Sequence, residues 1–382
     1  MTFKSKSLFS AAAALGAMFL LVVALARAQS SATSQATPPR LYRPYGKKAP
    51  EVYKNIQVLK DIDSTELIPT MQYMAESLGV GCDFCHVRSG SDKDEKEMKI
   101  KARKMILMTW EINKNHFDGR KAVSCTVCHR GAELPVFYPA IPEEGGRRVP
   151  AAAAQPPANL PTADQILDKY LQAVGGAAAV RRISTRIEKG TFVSGDSKLP
   201  YEVYARAPDK RVAITHQPDG DIISVFNGTS GWLEITAPSP PGRDLIPSET
   251  AAAKLDADLK FALDVRQILQ GLSVLPPEKI DGKEMYVVSG KPENMRHVRL
   301  YFDEQTGLLT RVLRYTEVPL GFTPVRVDYA DYRDVDGVKI PFRRTQARPS
   351  GRSIVQIDTV QQNVPIDESK FNRSPAAQGR GQ

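Results

Sequence analysis

Cysteine is scarce in this chain of 382 residues, with four in all, and histidine numbers only five. So few cysteines exclude a disulfide-rich scaffold of the kind that staples small secreted domains. Tryptophan occurs twice and aromatic residues make up 7% of the chain. Beyond residue 25 there is no apolar run long enough to cross a bilayer, which excludes a polytopic helical membrane protein. Runs of one charge sign are also missing. The formal net charge is +9, yet acidic residues are interspersed with the basic ones and no arginine-rich stretch carries interleaved aromatics, so nucleic acid is not the expected partner. What remains is 42% apolar and 25% charged, the composition of a folded, water-facing protein, long enough for two domains.

The first residues, "MTFKSKSLFSAAAALGAMFLLVVALARAQS", open with Lys4 and Lys6, run apolar from Leu8 to Leu25 and close on Ala26-Arg27-Ala28. This is the layout of a secretory signal at 1–28, cleaved before Gln29. If uncleaved, the same run would associate the protein with the membrane. Either way the bulk of the chain is expected outside the cytoplasm, in the periplasm.

All four cysteines fall in two pentapeptides, "CDFCH" (Cys82 to His86) and "CTVCH" (Cys125 to His129). In an oxidising compartment two disulfides would be the ordinary outcome, but disulfides give no reason for a histidine behind each pair. A zinc ribbon would place its pairs closer together and needs no such histidine. CxxCH is the attachment signature of c-type haem: two thiols form thioethers to the porphyrin edge and the adjacent imidazole binds the iron. Cys82, Cys85, Cys125 and Cys128 are therefore the candidate attachment residues, and His86 and His129 the candidate proximal ligands, for two covalent haem c groups.

The sixth ligand decides between electron carriage and catalysis. Ahead of the first motif, Leu67, Met71, Met74 and Leu78 fall on one helical face, with Asp63 or Ser64 as cap, Pro69 tolerable only near the first turn, and Gly79 as terminator. Ahead of the second, a helix is expected to start near Ser91 to Glu95. Met98, Ala102, Met105, Thr109 and Ile112 form its stripe, and Asn113, His116 and Gly119 break it into a loop. Met105, then Met108, then His116 are the candidate distal ligands there.

The stretches "NIQVLKDIDSTELIPTMQYMAESLGVGCDFCH", "ARKMILMTWEINKNHFDG" and "VSCTVCHRGAELP" resemble the cytochrome c subunit of photosynthetic reaction centres, over about 51–135. The resemblance implies an all-α c-type dihaem domain, each unit a helix bearing the distal ligand, a turn, then the motif. It implies Met71 and Met105 as the distal ligands, and redox proteins as partners. Family subunits that serve photosynthesis carry four motifs where this chain has two.

Residues 137–161 are rich in proline and alanine and read as a linker after a haem domain at 51–136. Thr162 and Gln165 then form a capping box, and Gly175 with Gly176 closes the helix. From there to 375 the pattern is of strand-like alternation, punctuated by Asp219-Gly220, Asn227-Gly228, Asp281-Gly282 and Asp336-Gly337. A helical insertion from about Ser248 interrupts it. The expected fold of 162–375 is α+β, a curved antiparallel sheet, or open half-barrel, holding one or two helices. "YFDEQTGLLTRVLRY", "DYRDVDGVKIPFRRT" and "NVPIDESKF" are similar to exported lipoprotein-carrier-like domains, which implies a lipophilic ligand or a quinone as candidate occupant. No catalytic constellation stands out, so the chain reads as a non-catalytic electron-transfer protein. The alternative is a lipid- or lipoprotein-binding or quinol-handling protein in which the haems are sensor or accessory.

Overall fold

The computed structural model describes residues 42–43, 45–88, 90–135, 160–236 and 242–374. The signal expected at 1–28, and the linker expected at 137–161 apart from Leu160 and Pro161, lie outside the described residues. Among the described residues no helix is long and apolar enough to cross a membrane.

The N-terminal part is helical after a two-residue strand β1 (Tyr42–Arg43): α1 (Ala49–Val52), α2 (Ser64–Leu78), a 3-10 turn at Cys82–Phe84, α3 (Glu97–His116) and α4 (Cys125–His129). The helices that follow are α5 (Ala163–Ala173), α6 (Gly176–Arg181), α7 (Pro247–Ala257) and α8 (Phe261–Ile268). The expected single insertion is thus two helices, broken where Asp258 leaves the helical conformation.

The strands are β2 (Thr185–Ser194), β3 (Ser197–Arg206), β4 (Lys210–Thr215), β5 (Ile222–Asn227), β6 (Gly231–Ile235) and β7 (Gly242–Asp244), then β8 (Gln270–Ile280), β9 (Lys283–Lys291), β10 (Val298–Asp303), β11 (Leu309–Val318), β12 (Gly321–Val335), β13 (Val338–Arg348) and β14 (Gly351–Gln362). They form one open sheet ordered β1-β7-β6-β5-β4-β3-β2-β14-β13-β12-β11-β10-β9-β8. Every described pairing is antiparallel except β1 with β7. Two meanders therefore meet at β2 and β14, and the chain passes between the edges β7 and β8 through α7 and α8. At Asp281-Gly282 and Asp336-Gly337 both residues have positive φ, the two-residue turn that matches strand twist, so β8–β9 and β12–β13 close as tight hairpins. At the far edge β8 carries Pro276-Pro277, and its register with β9 slips between Leu275 and Glu278, because proline supplies no N–H to the ladder.

The larger core lies between sheet and helices. Ile166, Leu167 and Tyr170 of α5 and Val265 of α8 pack with Leu300, Phe302, Ile340 and Ile357 of the strands. The capping box expected for α5 is present, Thr162 Oγ1 accepting from Gln165 N at 3.2 Å and Gln165 Oε1 from Thr162 N at 2.8 Å.

A second core joins the helical N-terminal part to the sheet: Ala49, Leu59, Ile62, Leu67, Tyr73 and Ile106 pack with Ile246, Val318 and Leu320. Tyr73 sits so tightly on the β11–β12 turn that a Cβ at Gly321 would lie 2.4 Å from its hydroxyl. Lys121 Nζ adds bonds to Glu317 Oε1 (2.8 Å) and the Val318 carbonyl (3.0 Å).

Candidate functional site

Helix α2 is the platform on which both CxxCH segments rest, packing against the 3-10 turn that contains Cys82 and against α4. Its start is fixed by a capping box: Asp63 Oδ1 accepts from Thr65 N (2.8 Å) and Glu66 Oε2 from Asp63 N (3.0 Å). Pro69 stands inside the helix rather than at its first turn, and the Thr70 hydroxyl donates to the Glu66 carbonyl at 2.7 Å. Gly79 ends the helix as expected, at φ +69°.

That end of α2 is also where the second motif docks. Gly131 N donates to the Ser77 carbonyl at 2.8 Å, and a Cβ on Gly79 would lie 2.2 Å from the Gly131 carbonyl oxygen. Ser77 Oγ lies 2.8 Å from Thr126 Oγ1, and Thr126 Oγ1 donates to the Tyr73 hydroxyl at 3.3 Å. The serine, threonine and tyrosine escaped the sequence reading, because hydroxyls on a helix carry no periodic signal until their partners are known.

Each motif histidine is held by its Nδ1. In His86 that atom lies 2.9 Å from the Ser91 carbonyl, and in His129 it lies 3.2 Å and 3.0 Å from the carbonyls of Ala132 and Glu133. A carbonyl only accepts, so Nδ1 carries the proton and the neutral ring keeps its lone pair on Nε2. Burial pushes the His86 pKa down, with Lys99 and Arg103 in the same direction and the hydrogen bond to Ser91 opposing them. The loop that supplies Ser91 is pinned in turn. Asp94 accepts from both Arg103 Nη1 (2.9 Å) and Nη2 (2.8 Å), and Lys99 Nζ donates to the Ser91 carbonyl at 2.9 Å. Arg103's hydrogen bonds hold the Asp94 carboxyl well below the usual range.

No disulfide joins the four cysteines. Cys82 and Cys128 are exposed. Burial raises the Cys85 thiol and pushes Cys125 up to about 11, which opposes ionisation of those two thiols. Among the described residues no three of His, Cys, Asp and Glu converge on a metal-holding point.

Of the candidate distal ligands, Met71 and Met74 are half-buried on α2 against the second core. On α3 the buried positions are Ile106, Thr109 and Asn113, of which Thr109 alone belongs to the expected stripe. Met105 and Met108 therefore point outward, 40% and 43% exposed. The helix starts at Glu97 rather than near Ser91, since the intervening loop carries the carbonyl that His86 uses. It also continues through Asn113 to His116, where a loop was expected. Asn113 is fixed by a two-way bond to Val123, donating to its carbonyl (2.7 Å) and accepting from its N–H (2.8 Å), which sets the approach to Cys125. His116 is exposed at the helix end.

The donor set fits covalent haem. Two free CxxC pairs are each followed by a histidine with its Nε2 lone pair available. The large exposed apolar residues among those described, Tyr45, Ile100, Met105, Leu107, Met108, Val127 and Leu134, all belong to the N-terminal part. Such a concentration is the surface a flat apolar macrocycle would cover.

Residues 17–162 match the profile of the family described as photosynthetic reaction centre cytochrome C subunit. The chain is 36% identical over 97 residues to the photosynthetic reaction center cytochrome c subunit of Thermochromatium tepidum, covering 24% of each chain. It is 31% identical over 104 residues to that of Rubrivivax gelatinosus, covering 26% of this chain and 28% of the other. Cytochrome c-554 of Chloroflexus aurantiacus is 34% identical over 85 residues, 20% of each. The chain thus spans about a quarter of the length of the curated relatives it matches. Among solved structures it is similar to a LolA superfamily protein from Nitrosomonas europaea (16% identity, TM-score 0.40, 56% of this chain and 99% of the other) and to a DUF1329 family protein from Desulfovibrio piger (12%, 0.38, 55% and 96%). Scores that low carry no argument. The likeness to reaction centre cytochrome c subunits is shown over the segment that contains both CxxCH motifs.

Proposed function

We propose that the chain is an exported dihaem c-type cytochrome that passes single electrons between redox partners of the periplasm. Cys82, Cys85 and His86 would hold one haem, Cys125, Cys128 and His129 the other, within an all-α domain at 51–136. The observation that carries this is the matched Nδ1-to-carbonyl bond of the two histidines, since it presents Nε2 in the tautomer that an iron ligand requires and orients the ring. Bound iron porphyrin would supply a one-electron couple. The chain's part is to fix the histidines, cover the ring edges with apolar side chains and present the distal sulfurs, for which Met71 and Met105 are the candidates.

Pyridine haemochrome analysis of the purified protein is expected to give two haems per chain, resistant to acid-acetone. Ferric spectra of Met71→Ala and Met105→Ala should each lose one methionine signature. A spectrum unchanged in both would overturn the ligand assignment, and a colourless chain would overturn the whole reading.

The alternative, in which the sheet binds a ligand and the haems are accessory, is favoured by one observation. A cavity of about 330 Å³ lies between the sheet and its helices.

A further inference from the structure

The walls of that cavity are of two kinds. Leu255, Leu259, Phe261, Leu269 and Val312 are apolar. The same lining carries Arg186, Arg211, Arg314, Arg344 and Lys339, with three carboxylates, Glu188, Asp256 and Asp258, beside them. A neutral lipid or quinone needs no such excess of cations.

Arg314 is consumed internally, its Nη1 and Nη2 each 2.7 Å from an Asp256 oxygen. The other arginines are engaged less fully. Arg344 donates from one Nη to Glu188, Arg186 from one Nη to Gln362 (3.2 Å), and Arg211 from one Nη to the Tyr201 hydroxyl (3.2 Å). The Nε atoms of Arg186 and Arg344 are buried without a hydrogen-bond partner. A guanidinium has five donors, and leaving them unmet in an enclosed site is costly. The Arg344 side chain keeps 22% of its surface accessible.

We propose that this cavity binds an amphipathic organic anion, with one carboxylate or phosphate group held by Arg186, Arg211 and Arg344 and a short apolar body against Leu255, Leu259 and Phe261. The volume stands at the small end for ligand sites, which suits a single short chain rather than the several acyl chains of a lipoprotein. A forked guanidinium matches a carboxylate or phosphate oxygen pair, and the remaining arginines supply charge. The inference deepens the ligand-binding reading of the sheet and is independent of haem attachment, so its failure would leave haem stoichiometry untouched.

The test is titration calorimetry on the full haem-loaded chain with octanoate, octyl phosphate, methyl octanoate, 1-octanol and a short-tailed quinone. One molecule of octanoate or octyl phosphate is expected to bind per chain, at least about tenfold more tightly than methyl octanoate or octanol, the lower edge for hydrogen bonds to a charged group. Whichever anion binds more tightly names the head group. Arg344→Gln would strand Glu188 and endanger the fold, so the diagnostic variant is Arg211→Gln, whose one hydrogen bond goes to a tyrosine hydroxyl. It should weaken both anions by about tenfold and leave the neutral compounds unchanged. Equal binding of octanoate and its ester, tighter binding of the quinone, no binding at all, or indifference to Arg211→Gln would overturn the proposal.

Discussion

Replacing Gly79 by alanine tests whether the end of α2 seats the second CxxCH segment. Gly79 has φ +69° and Gly131 has φ +85°, so alanine at either pays the left-handed backbone penalty of about 1 kcal/mol. The two differ in what the new methyl meets. At Gly131 nothing lies within 4 Å, whereas at Gly79 the Cβ would be 2.2 Å from the Gly131 carbonyl oxygen and 3.0 Å from its carbon. Those are backbone atoms, tied through Gly131 N to the Ser77 carbonyl at 2.8 Å, and cannot swing aside as a side chain could. Overpacking of this kind costs about 1–3 kcal/mol. Gly131→Ala should therefore lose about 1 kcal/mol and Gly79→Ala about 2–4 kcal/mol. Urea unfolding of the haem-loaded protein, followed by visible absorption, reads both. Losses within about 0.5 kcal/mol of each other would refute the claim that backbone contact, rather than conformational freedom, keeps glycine at position 79.

Two further expectations concern the sheet. Arg344→Met strands the buried carboxylate of Glu188 and should destabilise by about 3–5 kcal/mol at neutral pH, measured by urea midpoint. Burial raises the Glu188 pKa but Arg344 and Arg186 outweigh it, leaving a net lowering. The wild type should thus lose this contribution as pH falls below the unfolded value of about 4.3, and the variant should lose much less. Asp258 has the opposite sign. Burial pushes it up to about 6, so the folded state holds the proton longer and stability falls as pH rises from about 4 towards 6. Asp258→Asn should therefore gain about 1–3 kcal/mol at pH 7.5 and little at pH 4. An equal gain at both would refute the burial argument.

The two CxxCH motifs stand out in the sequence, because each is written in adjacent residues. Also legible were the box that starts α5, the glycine that ends α2, and the hairpins at Asp281-Gly282 and Asp336-Gly337, all local devices. The face of α3 was not. Its buried side carries Thr109 and Asn113, satisfied by the Met105 carbonyl (2.8 Å) and by Val123, and a count of apolar periodicity gives weight to methionines instead. Strand β2 was hidden for a similar reason. Its inward Glu188 is 3% exposed, and such a residue makes sense only once Arg344 faces it from β13. Strand β8 was masked by Pro276-Pro277, which argue against a strand except at an edge. The core shared by α2, Val318 and Leu320 is written nowhere locally, since its halves lie far apart in sequence.

The pairing of Tyr42–Arg43 along Gly242 and Arg243 has a bearing on colloidal behaviour. A sheet that never closes offers bare N–H and C=O groups at both flanks, each a template for another molecule's strand. At one flank two residues of the protein's own chain occupy the β7 backbone; at the other the adjoining prolines of β8 have no N–H to give. Both sides are thus blunted against intermolecular strand addition, by a strap at one and by a missing donor at the other, and shortening the chain to residue 45 would unguard the first alone.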